Sequence, residues 1–285
     1  MMREEQKKFI EDNIQLIEEN KWFEFFSKSR LKPGADVCMG GILYEANIDW
    51  LPYMNYIPTY SFAHSKVVSI YLPANIAYID ICAFEDCKNL ETVHINDGVR
   101  RIEEGAFRWC SNLKSVNIPY GVRSIKKELF SHCSSLEEID LPHSLTVIDD
   151  YAFHFCTSIS HIDIPDKVKK IKFGAFEGCT NLKHINLNNA TELDSALFYY
   201  CSSLEEITLP QGTQKIRWKM FSNCHSLKYI TIPYSVLSIH PLAFEGVTQT
   251  INITYGGTKN DWTSLIQPVK DIKYVCKCAD GIVEN

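Results

Sequence analysis

The sequence has no excess of basic residues. It contains 29 Lys and Arg against 35 Asp and Glu, which gives a formal net charge of −6. Binding to nucleic acid depends largely on basic side chains that neutralise phosphates. The composition therefore predicts no nucleic-acid partner, and it favours a protein partner whose surface is basic or neutral.

Long hydrophobic runs are also missing. The most apolar stretch, residues 40–57, is interrupted by Glu45 and Asp49, whereas a membrane-spanning helix needs about 18 or more apolar residues. Glu4 and Glu5 stand near the N-terminus, and no apolar run follows them that would form a secretory signal. We expect no membrane insertion and a cytoplasmic location, with secretion only if an export signal has been removed upstream.

Motifs for catalysis or cofactor binding are absent from the sequence. It contains no Gly-x-Ser-x-Gly, no His-Glu-x-x-His, no phosphate-binding loop and no dinucleotide-binding glycine run. Cys276 and Cys278 are separated by one residue, whereas zinc sites use cysteine pairs spaced by two or more residues. We expect no enzyme, no cofactor and no metal.

What the sequence does contain is a repeat marked by phenylalanine. The phenylalanines are separated by 22 or 23 residues and are Phe62, Phe84, Phe107, Phe130, Phe153, Phe176, Phe198, Phe221 and Phe244. One unit of this length cannot bury an apolar face alone, so neighbouring units must stack into a solenoid.

Each repeat has the same internal order of elements. Alternating apolar residues such as Ile162 and Ile164 predict a short strand, which Pro165 ends because proline cannot donate to a ladder. A second inward pair, here Val168 and Ile171, predicts an extended stretch. The following Ala-Phe-x-x-Cys segment has the four-residue spacing of one helical turn.

Eleven cysteines occur in the chain, and most of them belong to the repeat. Seven lie three residues after a phenylalanine, and the terminal repeats carry Ser65 and Val247 at that position. Such a regular placement among apolar neighbours is a packing pattern, and disulfides between stacked parallel side chains are disfavoured. We expect reduced, buried thiols.

The repeat Ala-Phe-x-x-Cys-x-x-Leu-x-x-Ile-x-Ile-Pro resembles the BspA-like class of leucine-rich repeats over about residues 54–255. Residues 255–262 and 278–281 are similar to a C-terminal segment common in bacterial members. The resemblance implies a binding scaffold and not an enzyme. The expected fold is a leucine-rich repeat solenoid with a curved parallel sheet on one side, extended segments and short helical turns on the other, and an N-terminal helical cap.

Four segments follow from this pattern. Residues 1–30 are predicted to form an amphipathic helix that caps the solenoid, with a partner-binding or dimerising helix as the alternative. Residues 31–60 are a degenerate first repeat, and residues 61–255 hold eight to nine repeats. Residues 256–285 form a C-terminal cap of a short helix and a strand, and the helix opens with a capping-box spacing.

The outward strand positions are the first candidate binding surface. The inward positions are used by the core, so ligands meet the outward ones. The candidate residues are Glu138, Asp140, His161, Asp163, His184, Glu206 and Tyr229. The two outward columns hold four carboxylates and no Lys or Arg, which favours a basic or neutral protein surface; a merely solvated polar face is the alternative.

His161, His184 and Asp163 are expected to be neighbours on this face. Two imidazoles beside a carboxylate could hold a divalent ion or form a pH-sensitive contact. An ordinary solvated surface is the interpretation we favour for these three residues.

The position two residues after each phenylalanine gives the second candidate surface. It carries Trp109, His132 and Phe155 on consecutive repeats, and Tyr200 two repeats later. An exposed aromatic strip is typical of interface anchors, for a partner or for self-association. Packing of these rings against a flanking segment is the alternative.

The sequence therefore predicts a protein-binding scaffold without catalytic activity. One alternative is an inhibitor or effector, encoded for example by a mobile element, that occludes one macromolecular target. Another is a surface adhesin that binds host matrix or carbohydrate.

Overall fold

The molecule is a parallel β-solenoid. The computed structural model describes residues 55–285. The predicted N-terminal helix and the transitional segment up to residue 54 lie outside the described residues. Across residues 55–285, no helix has the length and apolar character needed to cross a membrane.

One side of each repeat, except the repeat that contains residues 138–140, contributes a strand to the main ladder. Its strands are β2 (Ser69–Tyr71), β4 (Thr92–His94), β6 (Ser115–Val116), β9 (His161–Asp163), β11 (His184–Asn186), β13 (Glu206–Thr208), β15 (Tyr229–Ile232), β17 (Ile251–Tyr255) and β18 (Tyr274–Cys278). Neighbours pair in parallel with equivalent repeat positions opposite each other, as Ile162 lies opposite Ile185. The predicted parallel sheet is confirmed.

The extended stretch of each repeat pairs as well and forms a second ladder. Its two-residue strands are β1 (Tyr56–Ile57), β3 (Tyr78–Ile79), β5 (Arg101–Ile102), β7 (Ser124–Ile125), β8 (Val147–Ile148), β10 (Lys170–Ile171), β12 (Glu192–Leu193), β14 (Lys215–Ile216) and β16 (Ser238–Ile239). All their pairings are parallel. In each strand the second residue is buried, so the first residue is the one available to solvent.

The main ladder is interrupted after β6 and again between β11 and β13. The side chain of Asn117 bonds the backbone of Ile95 twice, through Oδ1 to the N–H at 2.8 Å and through Nδ2 to the carbonyl at 2.7 Å. The side-chain amide thus replaces backbone bonds between β6 and the preceding repeat, so the pairing of β6 with β4 ends at Val116. Residues 138–140 were expected to form the next strand, but they do not form a strand. Ile139 and Leu141 still pack against the core.

The Ala-Phe-x-x-Cys segment differs from the predicted helical turn. It forms successive tight turns, as in the bond from the Cys87 N–H to the Phe84 carbonyl, with left-handed residues such as Asp86 at φ 55°. Each turn also donates to the next repeat, as the Phe84 N–H does to the Ala106 carbonyl at 2.8 Å. The turns therefore form a third column of backbone hydrogen bonds, which a regular helix would not allow because its N–H groups are used internally.

The core is a continuous stack of the repeated phenylalanines. Neighbouring rings are separated by centroid distances that range from 4.8 Å for Phe62 and Phe84 to 6.0 Å for Phe176 and Phe198. The rings are buried, together with the inward aliphatic residues of both ladders. Aromatic pairs at such distances add to the stabilisation that burial provides.

The C-terminal end of the solenoid is closed by one helix and two strands. The helix α1 (Lys259–Ile266) begins after Thr258, which forms a capping box with Asp261, and it buries Trp262. The strand β18 continues the main ladder, and β19 (Gly281–Glu284) pairs with it in antiparallel fashion. The capping box satisfies N–H groups at the helix start that would otherwise lack partners.

Candidate functional site

The outward residues of the main ladder form what we call the sheet face. Strand alternation places His161 and Asp163 outward on β9 while Ile162 is buried between them. The same alternation exposes His184 on β11 and Glu206 on β13. The structure places all the predicted residues of this face at the surface, including Glu138 and Asp140 in the interrupted segment.

The carboxylates of the sheet face keep their charge uncompensated by Lys or Arg. Within residues 55–285, no basic side chain other than histidine lies within ion-pair distance of Glu138, Asp140, Asp163 or Glu206. Elsewhere on the molecule, cross-repeat pairs such as Lys114 with Glu91 are common. The sheet face therefore presents acidic charge that a complementary surface would neutralise.

The two histidines of this face form separate pairs. His161 Nε2 lies 3.2 Å from Asp163 Oδ2, and His184 Nδ1 lies 3.3 Å from Glu206 Oε1. The two histidines and Tyr229 line a shallow groove of about 390 Å³. No group of three or more His, Cys, Asp or Glu suited to a metal ion occurs in the described part of the chain.

The second candidate surface, which we call the aromatic strip, consists of Trp109, His132 and Phe155. Each residue has a left-handed backbone conformation. Its N–H donates a hydrogen bond to a carbonyl of the following repeat, as the Trp109 N–H does to the Ser131 carbonyl at 2.8 Å. Because the bonds are equivalent, they hold the backbone of each residue at the equivalent position of its repeat. A left-handed residue other than glycine costs free energy, and it persists only where surrounding contacts determine it.

The three rings of the strip lie face to face. The Trp109 and His132 centroids are 3.6 Å apart with an interplanar angle of 4°, and those of His132 and Phe155 are 5.1 Å apart at 3°. Trp109 remains 45% exposed and Phe155 37% exposed. The rings therefore pack on one another, while Trp109 and Phe155 keep part of their surface exposed. Burial, with a further contribution from His154, lowers the pKa of His132 and favours its neutral form.

The stack ends at Gly178, which holds the same position in the next repeat. The Phe155 ring lies across this glycine, so that a Cβ there would come within 3.0 Å of the ring. Tyr200, predicted as part of the surface, is 45% exposed but lies beyond Gly178 and packs against Tyr199 instead. The structure therefore brings together the three predicted residues on consecutive repeats and separates the fourth.

The cysteine ladder does not supply a nucleophile. The thiols of Cys133 and its equivalents are buried, and each donates to a backbone carbonyl of the preceding repeat. Burial raises the pKa of Cys133, and it raises that of Cys179 to about 12. The side-chain hydrogen bond with Cys110 lowers the pKa of Cys87, but this thiol is also fully buried. A nucleophilic cysteine needs an accessible thiolate, and all the thiols of the ladder are enclosed.

A basic group on the second ladder was not predicted from the sequence. Arg100, Arg101, Arg123, Lys126 and Lys167 line one groove. Arg100 and Arg123 occupy the same repeat position one unit apart, which is the signal in the sequence that points to this group.

Comparison with protein families gives one match. The family described as BspA type leucine rich repeat region matches the chain in 6 copies, over residues 55–183 and 123–254. No curated protein matches the chain.

Several solved structures of bacterial proteins are similar. A leucine-rich repeat protein from Bacteroides ovatus is 22% identical with a TM-score of 0.45, over 74% of this chain and 69% of that chain. The leucine-rich repeat protein TpLRR of T. pallidum is 21% identical with a TM-score of 0.48, over 73% of this chain and 87% of that one. The pneumococcal vaccine antigen PcpA is 16% identical with a TM-score of 0.45, over 75% and 69% of the two chains.

Proposed function

This chain belongs to the BspA-type leucine-rich repeat family, and we propose that it is a non-enzymatic scaffold that binds a protein or peptide partner. The observation that carries the proposal is the uncompensated acidic charge of the sheet face, at Glu138, Asp140, Asp163 and Glu206. A mainly acidic face steers an oppositely charged surface toward it and disfavours like-charged ones; Lys277 on β18, at the C-terminal end of the ladder, is the exposed basic residue of this face. The partner in this proposal has a basic or neutral surface.

The shape of the sheet face supports recognition of a macromolecule. Its outward residues repeat at the spacing of parallel strands, about 4.8 Å, so contacts extend over several repeats. The groove lined by His161, His184 and Tyr229 is open and shallow. Small-molecule sites are more enclosed than this and bury most of their ligand.

The aromatic strip is the second surface of the proposal. Exposed Trp and other aromatic residues often anchor protein interfaces. The ring faces between Trp109, His132 and Phe155 are covered by their neighbours, so a sugar could stack only on the outer face of Trp109. The exposed parts of several rings together suit a protein partner, or a second copy of this chain.

The proposal includes no catalytic role because of the chemistry of the available side chains. The thiols are buried hydrogen-bond donors, and the histidines of the sheet face pair with exposed carboxylates in an open groove. Catalysis needs a nucleophile or base aimed at a site that encloses a substrate. We propose that the molecule acts by binding alone.

A charge-neutralising variant tests the sheet face. The variant carries Glu138→Gln, Asp140→Asn, Asp163→Asn and Glu206→Gln. Its matched control neutralises four exposed carboxylates elsewhere, with Glu104→Gln, Asp166→Asn, Glu192→Gln and Glu245→Gln. All three proteins are used as bait against the lysate of the source cell or its host, at several salt concentrations.

The expected result is a partner that wild type and control retain and that the sheet-face variant loses. Retention of that partner by the sheet-face variant would contradict the assignment of binding to this face. Circular dichroism of both variants checks that the fold is unchanged.

Two other functions remain as alternatives within the same architecture. An inhibitor or effector would occlude one macromolecular target, and its partner would lose activity on binding. A surface adhesin would bind host matrix or carbohydrate and would be found outside the cell. Fractionation of the source cells tests the cytoplasmic location that we propose, and glycan-array binding tests the adhesin.

A further inference from the structure

A groove of about 930 Å³ lies on the second ladder, away from the sheet face and the aromatic strip. Its basic residues are Arg100, Arg101, Arg123, Lys126 and Lys167, and Asp97 is the single carboxylate residue that lines it. We call this feature the basic groove. Its charge is opposite to that of the sheet face.

The repeat itself concentrates the charge. Arg100 and Arg123 directly precede β5 and β7 at the same position of consecutive repeats. The backbone N–H of Arg100 bonds the Ala77 carbonyl of the preceding repeat at 2.9 Å. No strand pairing joins β5 to β7, yet Arg100 and Arg123 line the same groove, so two like charges share one surface.

One arginine is positioned across a glycine. The side chain of Arg100 lies over Gly121, where a Cβ would come within 2.5 Å of Arg100 Cδ and Nη1. Arg100 Nη1 also donates to the Asp97 carbonyl over 2.6 Å. Gly121 therefore leaves room for the guanidinium to lie along the groove, and any larger residue would displace it.

Most of the charge in the basic groove is not neutralised. Arg101 Nε lies 3.3 Å from Glu103 Oε1. Within residues 55–285, Arg123, Lys126 and Lys167 have no carboxylate at ion-pair distance. An anionic ligand would relieve the repulsion among these cations, and arginine offers paired donors that fit a carboxylate.

We propose that the basic groove binds an acidic peptide segment of a partner protein. The groove is lined by residues between 97 and 167, and it includes the carboxylate of Asp97. Further along the ladder, Lys172 and Lys170 are already paired with Asp149 and Glu192. A nucleic acid carries a continuous line of phosphates that would extend from the groove onto these carboxylates, whereas a short acidic peptide needs only the cations of the groove.

The surrounding side chains also suit a peptide. Tyr120 lines the groove and is 68% exposed, whereas Ile102 and Val122 are buried beneath it. An exposed aromatic ring beside cations allows an acidic segment that carries an apolar residue to bind by both interactions. The proposal is independent of the sheet face, and the two surfaces together would let one solenoid hold partners of opposite charge.

Fluorescence anisotropy with a labelled octaglutamate peptide tests the basic groove on the full chain. The groove variant carries Arg100→Gln, Arg123→Gln and Lys126→Gln. The matched control removes three cations outside the groove, with Lys183→Gln, Lys273→Gln and Lys277→Gln. Octaglutamine measures binding that does not depend on charge, and single-stranded octathymidylate DNA serves as the competing class of polyanion.

We expect octaglutamate to bind wild type and control alike, and the groove variant about tenfold more weakly or worse, with added salt weakening the binding to wild type. Equal binding to the groove variant and the control, or no binding to wild type, would overturn the proposal. Tighter binding of octathymidylate than of octaglutamate, lost in the groove variant, would also overturn it and identify a nucleic-acid site. Because the sheet-face carboxylates are intact in the groove variant, failure here leaves the sheet-face result unaffected.

Discussion

The thiol of Cys133 donates a hydrogen bond to the backbone carbonyl of Phe107 in the preceding repeat, over 3.1 Å. The same carbonyl accepts the N–H of Cys110 at 3.2 Å. The equivalent thiol bonds join Cys87 to Phe62, Cys110 to Phe84, Cys156 to Phe130, Cys179 to Phe153, Cys201 to Phe176 and Cys224 to Phe198. The cysteine ladder therefore connects neighbouring repeats by a weak donor that is small enough for the core.

Removal of one of these donors should weaken the solenoid. We predict that Cys133→Ala lowers the free energy of unfolding by about 1–2 kcal/mol, because it removes a packed sulfur and a hydrogen bond. Cys133→Ser keeps a donor at this position, as Ser65 does in the terminal repeat, and it should lose less. Urea denaturation of the three proteins measures the difference; equal stability of Cys133→Ala and wild type would show that the bond contributes nothing.

The buried thiols should make the protein sensitive to alkaline pH. Burial raises the pKa of Cys179 to about 12, above its value in an unfolded chain. The folded state then holds a proton that the unfolded state releases, so this stabilisation is complete below about pH 9 and is lost as the pH rises toward 12. Each such thiol lowers the free energy of unfolding by at most about 1.4 kcal/mol per pH unit.

Urea denaturation between pH 8 and pH 10.5, with a reductant present, measures this slope. Cys179→Ala removes one titrating thiol and should give a shallower slope than wild type. A free energy of unfolding that stays constant across this range would contradict a contribution from the cysteine ladder.

The phenylalanine stack should carry a large share of the stability. Phe153 lies between Phe130 and Phe176, at centroid distances of 5.6 and 5.4 Å. We predict that Phe153→Ala lowers the free energy of unfolding by about 3–5 kcal/mol, since it opens a cavity between two rings. Phe153→Leu fills part of this space and should lose less.

Chemical denaturation compares both Phe153 variants with Leu237→Ala, a control at a residue that is 73% exposed. The control should change the free energy of unfolding by less than about 0.5 kcal/mol. A loss in Phe153→Ala no larger than in the control would mean that the neighbouring rings collapse into the space.

Removal of the aromatic strip should affect binding without affecting the fold. Trp109→Ala combined with Phe155→Ala deletes the two outer rings of the stack, which are largely outside the core. We predict loss of partner binding or of self-association, by at least about tenfold in affinity. Leu237→Ala with Ile282→Ala removes exposed apolar groups elsewhere and is the control.

Pull-down and analytical ultracentrifugation measure the two activities of the strip. If the double variant keeps both full partner binding and the oligomeric state of wild type, the aromatic strip is ordinary surface. Equal circular dichroism spectra of the variant and the control show that folding is not the cause of a loss.

The sequence alone predicted which residues of neighbouring repeats lie next to each other. Because every repeat places the same side chain in the same environment, the spacing of Phe107 and Phe130 was enough to identify the core, the main ladder and the outward columns. It was also enough to predict that Trp109 and Phe155 share a surface. Local spacing was misleading in the Ala-Phe-x-x-Cys segment, because the backbone bonds between repeats replace the internal bonds of a helical turn.

Tertiary structure decided what depends on contacts between neighbouring repeats. Asn117 ends β6 by bonding Ile95, a side-chain competition that strand alternation cannot reveal. Gly178 ends the aromatic stack, and Gly121 lets Arg100 lie along the basic groove. The period of a sequence determines which residues are adjacent, whereas the packing of each side chain against the next repeat determines which of them stack, pair or remain free to bind.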